Sequence, residues 1–71
     1  MNNIHPTAIV ASKAELGSGN TIDAYSVIEA DVVLGDNNHL RTGVVLKDGC
    51  RIGNNNNFYE YAVMAGLPQD V

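Results

Sequence analysis

The chain has 71 residues, which bounds it to one domain, taken as residues 1–71, with a small core and marginal stability. Eight acidic residues against four basic give a net charge of -4, so no basic patch is present and a nucleic-acid partner is disfavoured. The start, "MNNIHPTAIV", lacks the basic and apolar regions of a signal peptide, and no apolar run approaches the roughly 18 residues of a membrane span.

In chain order, every sixth residue from Ile4 is large and apolar: Ile4, Val10, Leu16, Ile22, Ile28, Leu34, Leu40, Leu46, Ile52, Phe58 and Met64. A helix requires apolar residues at spacings of three and four, and a flat strand requires alternation. A period of six fits neither. It fits a short extended segment plus a corner, and three such segments close one turn of a triangular coil. The resulting superperiod of eighteen appears independently in Gly17, Gly35 and Gly53, in Asn20, Asn38 and Asn56, and in Ile9, Val27, Val45 and Val63. The expected fold is therefore all-β, a solenoid of about four coils stacked at about 4.8 Å in parallel pairing. All eleven residues of the first column are expected inside.

The position four residues after each of these is mostly compact: Ala8, Ala14, Asn20, Ser26, Val32, Asn38, Val44, Cys50, Asn56 and Ala62. Cys50 reads there as a small buried hydrophobe. As the single cysteine it forms no internal disulfide, which suits a reducing compartment. The run Asn54–Asn57 reads as corner and ladder residues rather than disorder. Asn56 continues the column of Asn20 and Asn38, and Asn55 lies above Asn37. Asparagine tolerates left-handed backbone, bonds its local backbone and stacks in amide ladders. Pro6 falls in the first coil, where a missing N–H costs little. The pattern stops at "GLPQDV", where the next sixth position is Asp70.

The candidate bases are His5 and His39. His5 reads as a surface or capping residue ahead of Pro6. His39 reads as a face residue between Thr21 and Asn57. Asp36 and Asp48 read as corner residues, and Gln69 and Asp70, on composition alone, as a polar exit from the last coil. A zinc site requires three or four ligands. One cysteine and two histidines 34 residues apart support no metal site. Tyr25, Tyr59 and Tyr61, with the column from Ile9 to Val63, supply apolar and aromatic material outside the core, which suits an interface.

Three stretches, "IHPTAIV", the hexads between, and "RIGNNNNFYEYAVMAGLPQDV", resemble the UDP-N-acetylglucosamine acyltransferase family of hexapeptide-repeat transferases over essentially the whole chain. The hexads are shared with other acyltransferases and with gamma-type carbonic anhydrases. Pro68-Gln69-Asp70, in phase after "FYEYAVMAGL", is the more specific element. Val71 stands where the family usually has leucine, and Ala65 where it usually has glycine. The resemblance implies a left-handed parallel β-helix, a cytoplasmic homotrimer and no cofactor. It also implies transfer of a 3-hydroxyacyl group from acyl carrier protein to the 3-hydroxyl of UDP-N-acetylglucosamine, which begins lipid A synthesis. Gln69 and Asp70 fall on the substrate-binding stretch between subunits. The family's catalytic histidine lies several coils further on, so no catalytic residue carries over and the chain alone is expected to be inactive, as the N-terminal coils of a longer architecture. Two alternatives stand beside this reading. One is a non-catalytic trimeric β-helix module. The other is a different hexapeptide-repeat enzyme, such as an acetyltransferase using coenzyme A.

Overall fold

The computed structural model describes residues 1–65. Over them the chain winds through eleven two-residue strands with no helix among the described residues. The first coil holds β1 (Asn3–Ile4), β2 (Ile9–Val10) and β3 (Glu15–Leu16), and the second β4 (Thr21–Ile22), β5 (Val27–Ile28) and β6 (Val33–Leu34). The third holds β7 (His39–Leu40), β8 (Val45–Leu46) and β9 (Arg51–Ile52), and β10 (Asn57–Phe58) and β11 (Val63–Met64) make two sides of a fourth. The strands are short because each hexad supplies one inward apolar residue and its outward neighbour before the chain turns a corner.

Three parallel sheets form the sides of the prism. Sheet A runs β1-β4-β7-β10, sheet B β2-β5-β8-β11 and sheet C β3-β6-β9. Every pairing is between residues eighteen apart, such as Ile4 with Ile22 and Leu34 with Ile52. The same backbone bond recurs once per coil: the N–H of Asn3, Thr21 and His39 donates to the carbonyl of Asn20, Asn38 and Asn56, each at 2.8 Å. The parallel β-solenoid expected from the hexads is thus the fold observed, and its stacking is consistent with a left-handed winding.

The core is the inward column plus the compact column beside it. Ile22, Ile28, Leu34, Leu40 and Leu46 are buried together with Val32, Val44 and Cys50. Cys50 lies where the compact column places it, and its thiol faces the Met64 carbonyl at 3.1 Å. The ends of the inward column depart from expectation. Ile4 and Met64 are exposed, because each has a described coil on one side only. Burial in a solenoid comes from the neighbouring coil as much as from the turn that carries the residue.

The asparagine column is a continuous hydrogen-bonded ladder. Asn20 Oδ1 accepts the Asn38 N–H at 2.9 Å, and Asn38 Oδ1 accepts the Asn56 N–H at 2.8 Å. Each Nδ2 reaches across to a glycine carbonyl at the corner: Asn20 to Gly35 at 2.8 Å and Asn38 to Gly53 at 2.9 Å. Asn2 begins the same ladder, since its Oδ1 accepts the Asn20 N–H and its Nδ2 donates to the Gly17 carbonyl. Asn2 is eighteen residues before Asn20, so its spacing carried the signal. No buried side-chain nitrogen or oxygen among the described residues lacks a partner.

The four consecutive asparagines accordingly do different things. Asn54 Oδ1 accepts the Asp36 N–H at 2.7 Å, and Asn55 holds a left-handed backbone (φ 62°) above Asn37 (φ 59°). Asn56 closes the ladder, and Asn57 enters β10, where its Oδ1 faces Arg41 Nε at 3.4 Å. The glycines Gly17 and Gly35 answer a different need. A Cβ on Gly35 would lie 2.6 Å from the Gly53 carbonyl oxygen, and one on Gly17 would lie 2.6 Å from that of Gly35. Successive coils pass too close there for any side chain.

Candidate functional site

Outward residues of each column lie above one another, so the prism carries its chemistry in vertical stripes. On sheet A the stripe is Asn3, Thr21, His39 and Asn57. The residues two further along each coil are His5, Asp23, Arg41 and Tyr59. Side-chain contacts link these two stripes. His39 Nε2 faces Asp23 Oδ2 at 2.9 Å, with both side chains about two-fifths exposed (39% and 40%). Arg41 lies over the Tyr59 ring, 5.2 Å from its centroid, a cation–π contact.

His39 stands between Thr21 and Asn57 as its column position requires. Its pairing with Asp23 was not legible, because the contact crosses columns at a separation of sixteen residues. A carboxylate that orients an imidazole is one half of general-base chemistry. Here the pair ties the second coil to the third across an outer face. His5 has the capping role expected of it. Its Nδ1 accepts the Thr7 N–H at 3.1 Å and lies 2.9 Å from Thr7 Oγ1, while Thr7 Oγ1 accepts the Tyr25 N–H from the coil above at 3.1 Å. His5 and His39 therefore serve separate local bonds.

At the corner between sheets B and C the charges pair among themselves. Arg51 meets Asp31 Oδ1 at 2.7 Å and also donates to the Asp31 carbonyl. Asp48 Oδ1 accepts the Asp31 N–H, and Asp36 Oδ1, at the corner between sheets C and A, accepts the Ser18 N–H at 2.8 Å. Both aspartates are the corner residues the sequence implies. No group of three histidine, cysteine, aspartate or glutamate side chains among the described residues is placed to hold a metal.

The outer face of sheet B is different in kind. Ile9, Val27, Val45 and Val63 line it, and the corner it shares with sheet A carries Tyr25 and Tyr61. Ile9, Val63 and both tyrosines are exposed. Gln69 and Asp70, the expected substrate-binding residues, lie outside the described residues. No helix among the described residues is long and apolar enough to cross a membrane.

Comparison with known proteins agrees with this architecture. Residues 13–48 match the family described as "Bacterial transferase hexapeptide (six repeats)". The chain is 37% identical over 71 residues to the acyl-(acyl-carrier-protein)–UDP-N-acetylglucosamine O-acyltransferase of Campylobacter concisus (strain 13826), covering 100% of this chain and 27% of that protein. It is 43% identical over 68 residues to the protein of the same name from Rickettsia canadensis (strain McKiel), covering 96% of this chain and 26% of that protein. A third, from Psychrobacter sp. (strain PRwf-1), is 37% identical over 71 residues, 100% of this chain and 27% of that protein. The chain thus spans about a quarter of the length of these curated relatives.

Proposed function

The chain belongs to the bacterial transferase hexapeptide family, and on that premise we propose that it supplies the β-helical scaffold of an acyltransferase acting on a sugar nucleotide. The proposed reaction carries a 3-hydroxyacyl group from acyl carrier protein to the 3-hydroxyl of UDP-N-acetylglucosamine, the step that begins lipid A synthesis, in the cytoplasm and as a homotrimer. The observation that carries this reading is the alignment of the whole chain with relatives named for that activity. The solenoid supports it, since stacked coils offer long, rigid side faces on which neighbouring copies and substrates can be placed in register.

In this proposal Gln69 and Asp70 touch the sugar nucleotide between subunits. The described coils provide the platform that leads into them, and the histidine base and oxyanion donor of the reaction belong to further coils. A positioned base typically contributes about 10²–10⁴ in rate and an oxyanion donor about 10²–10³. Without them the 71-residue chain alone turns over below detection.

The test incubates purified chain with UDP-N-acetylglucosamine and 3-hydroxyacyl carrier protein and measures the 3-O-acyl product. The expected outcome is no product from the chain itself and ready turnover by a longer protein that carries these coils. In that protein Asp70→Ala should raise KM for the sugar nucleotide. Product from the 71-residue chain, lost on His39→Ala, would overturn the inactive reading and make the His39–Asp23 pair the base.

A further inference from the structure

The sequence holds one aspartate or asparagine followed by glycine, Asp48–Gly49. Such a pair is chemically labile. With no side chain beside it, the glycine nitrogen is free to attack the Cγ of the residue before it. The corner between sheets B and C nevertheless requires the glycine, because Gly49 holds φ 94°. Asp48 is exposed, so burial does not keep water from the pair.

Hydrogen bonds to the coil below hold it instead. The Gly49 N–H donates to the Asp31 carbonyl at 2.7 Å, and Asp48 Oδ1 accepts the Asp31 N–H at 2.9 Å. Nucleophile and electrophile are thus bound to the two backbone groups of one residue. The Asp48 N–H donates to Glu29 Oε1 at 2.9 Å, which fixes the peptide ahead of the pair. Arg51 fastens the arrangement from the other side. Its Nη2 donates to Asp31 Oδ1 at 2.7 Å, and its Nη1 donates to the carbonyls of Asp31 and Cys50, each at 2.9 Å. Attack requires the Gly49 N–H to leave the Asp31 carbonyl and the Asp48 carboxyl to turn from the Asp31 N–H.

We propose that Asp48–Gly49 is a site of spontaneous isoaspartate formation, held closed by the Arg51–Asp31 pair. In the step the Gly49 nitrogen bonds to Asp48 Cγ, and its hydrogen leaves with the carboxyl hydroxyl as water. Water then opens the resulting succinimide. Addition at Cγ restores aspartate. Addition at the Asp48 backbone carbonyl breaks the original peptide bond and leaves the chain running through the side chain. One water is released and one consumed, so no other reagent enters. The isoaspartyl link adds one carbon to the main chain of the third coil. Cys50 and Ile52 then no longer fall over Val32 and Leu34 at the eighteen-residue register.

The experiment incubates the chain, Arg51→Ala and an unstructured peptide of residues 46–52 at neutral pH, and follows isoaspartate by enzymatic methylation and by mass mapping of Asp48. Two hydrogen bonds, at about five- to tenfold each, make the chain about 25- to 100-fold slower than the peptide. Arg51→Ala, with its far-UV circular dichroism unchanged, should react about three- to tenfold faster than the parent. Arg41→Ala, which removes a cation from sheet A, should match the parent. If Arg51→Ala unfolds, Asp31→Ala, which keeps both backbone partners of the dipeptide, carries the test and should accelerate the reaction likewise. The ratio of chain to peptide stands whichever variant folds. Equal rates for chain and peptide would overturn the proposal, and folded variants no faster than the parent would overturn the part of Arg51 and Asp31 in it.

Discussion

The asparagine ladder sets a graded prediction: truncation to alanine should cost most at Asn20, less at Asn38 and almost nothing at Asn56, three identical residues in one column. Asn20→Ala removes the acceptor for the buried Asn38 N–H and the donor to the Gly35 carbonyl. Asn38→Ala leaves the Asn56 N–H and the Gly53 carbonyl without their partners, but both residues are exposed and water reaches them. Each orphaned buried group costs about 1–3 kcal/mol. One buried and one half-buried group put Asn20→Ala at about 2–4 kcal/mol, and two groups that water reaches put Asn38→Ala at about 1–2 kcal/mol. Asn56 donates only a long bond of 3.3 Å to Asn54, so Asn56→Ala falls within about 0.5 kcal/mol of the parent. A 71-residue domain has about 4–10 kcal/mol in total, so the first change removes a large share of it. Urea melts followed by circular dichroism measure all three. Equal midpoints for the three variants would refute the ladder as a source of stability. A pH test separates hydrogen bonding from shape. Asn38→Asp keeps the volume but turns a second oxygen toward the Gly53 carbonyl and Asn20 Oδ1. That site raises the folded-state pKa of the new carboxyl above its unfolded value. The variant is therefore most stable below about pH 4 and loses stability as pH rises from there.

Two further predictions concern the register and the corner glycines. Leu34→Ala opens a cavity in the middle of the inward column and should cost about 2–5 kcal/mol, while Asp36→Ala, two residues on, gives up one exposed bond to Ser18 and should cost under about 1 kcal/mol; equal denaturant midpoints for the two would contradict the register. Gly35→Ala forces a methyl against the Gly53 carbonyl and should cost about 1–3 kcal/mol in the same melts, and an unchanged midpoint would mean that the coils stand further apart there.

The fold was legible to the extent that it repeats. A solenoid places residue i under residue i+18 without exception over β1 to β11, so one column read from the sequence gives the register of all the rest. Burial was less legible at the ends, since Ile4 and Met64 carry the same inward letter as Leu34 while a neighbouring coil decides how much water remains. Contacts between columns were not legible at all. His39 meets Asp23 across two columns at a separation of sixteen residues, which no period contains, whereas Arg41 and Tyr59 meet within one column at the period itself.

Backbone geometry marks where sequence and structure part for a physical reason. Local preference assigns left-handed positions to glycine and asparagine, and Gly19, Asn37 and Asn55 obey it in one column. The recurring glycines Gly17 and Gly35 stand close by in sequence, yet their role is clearance for the carbonyl of the coil above. In the other left-handed column Gly43 is flanked by Tyr25 and Tyr61, a choice that local preference argues against. Intrinsic propensity describes a chain in isolation. Where a residue contradicts it at the surface, contacts elsewhere in the structure offset the cost. At this corner the ring of Tyr61 already covers Gly43 within the chain, but most of both tyrosine side chains still faces outward. The same eighteen-residue repeat that stacks one coil on the next also spaces these rings at the interval of the valines on the adjoining face.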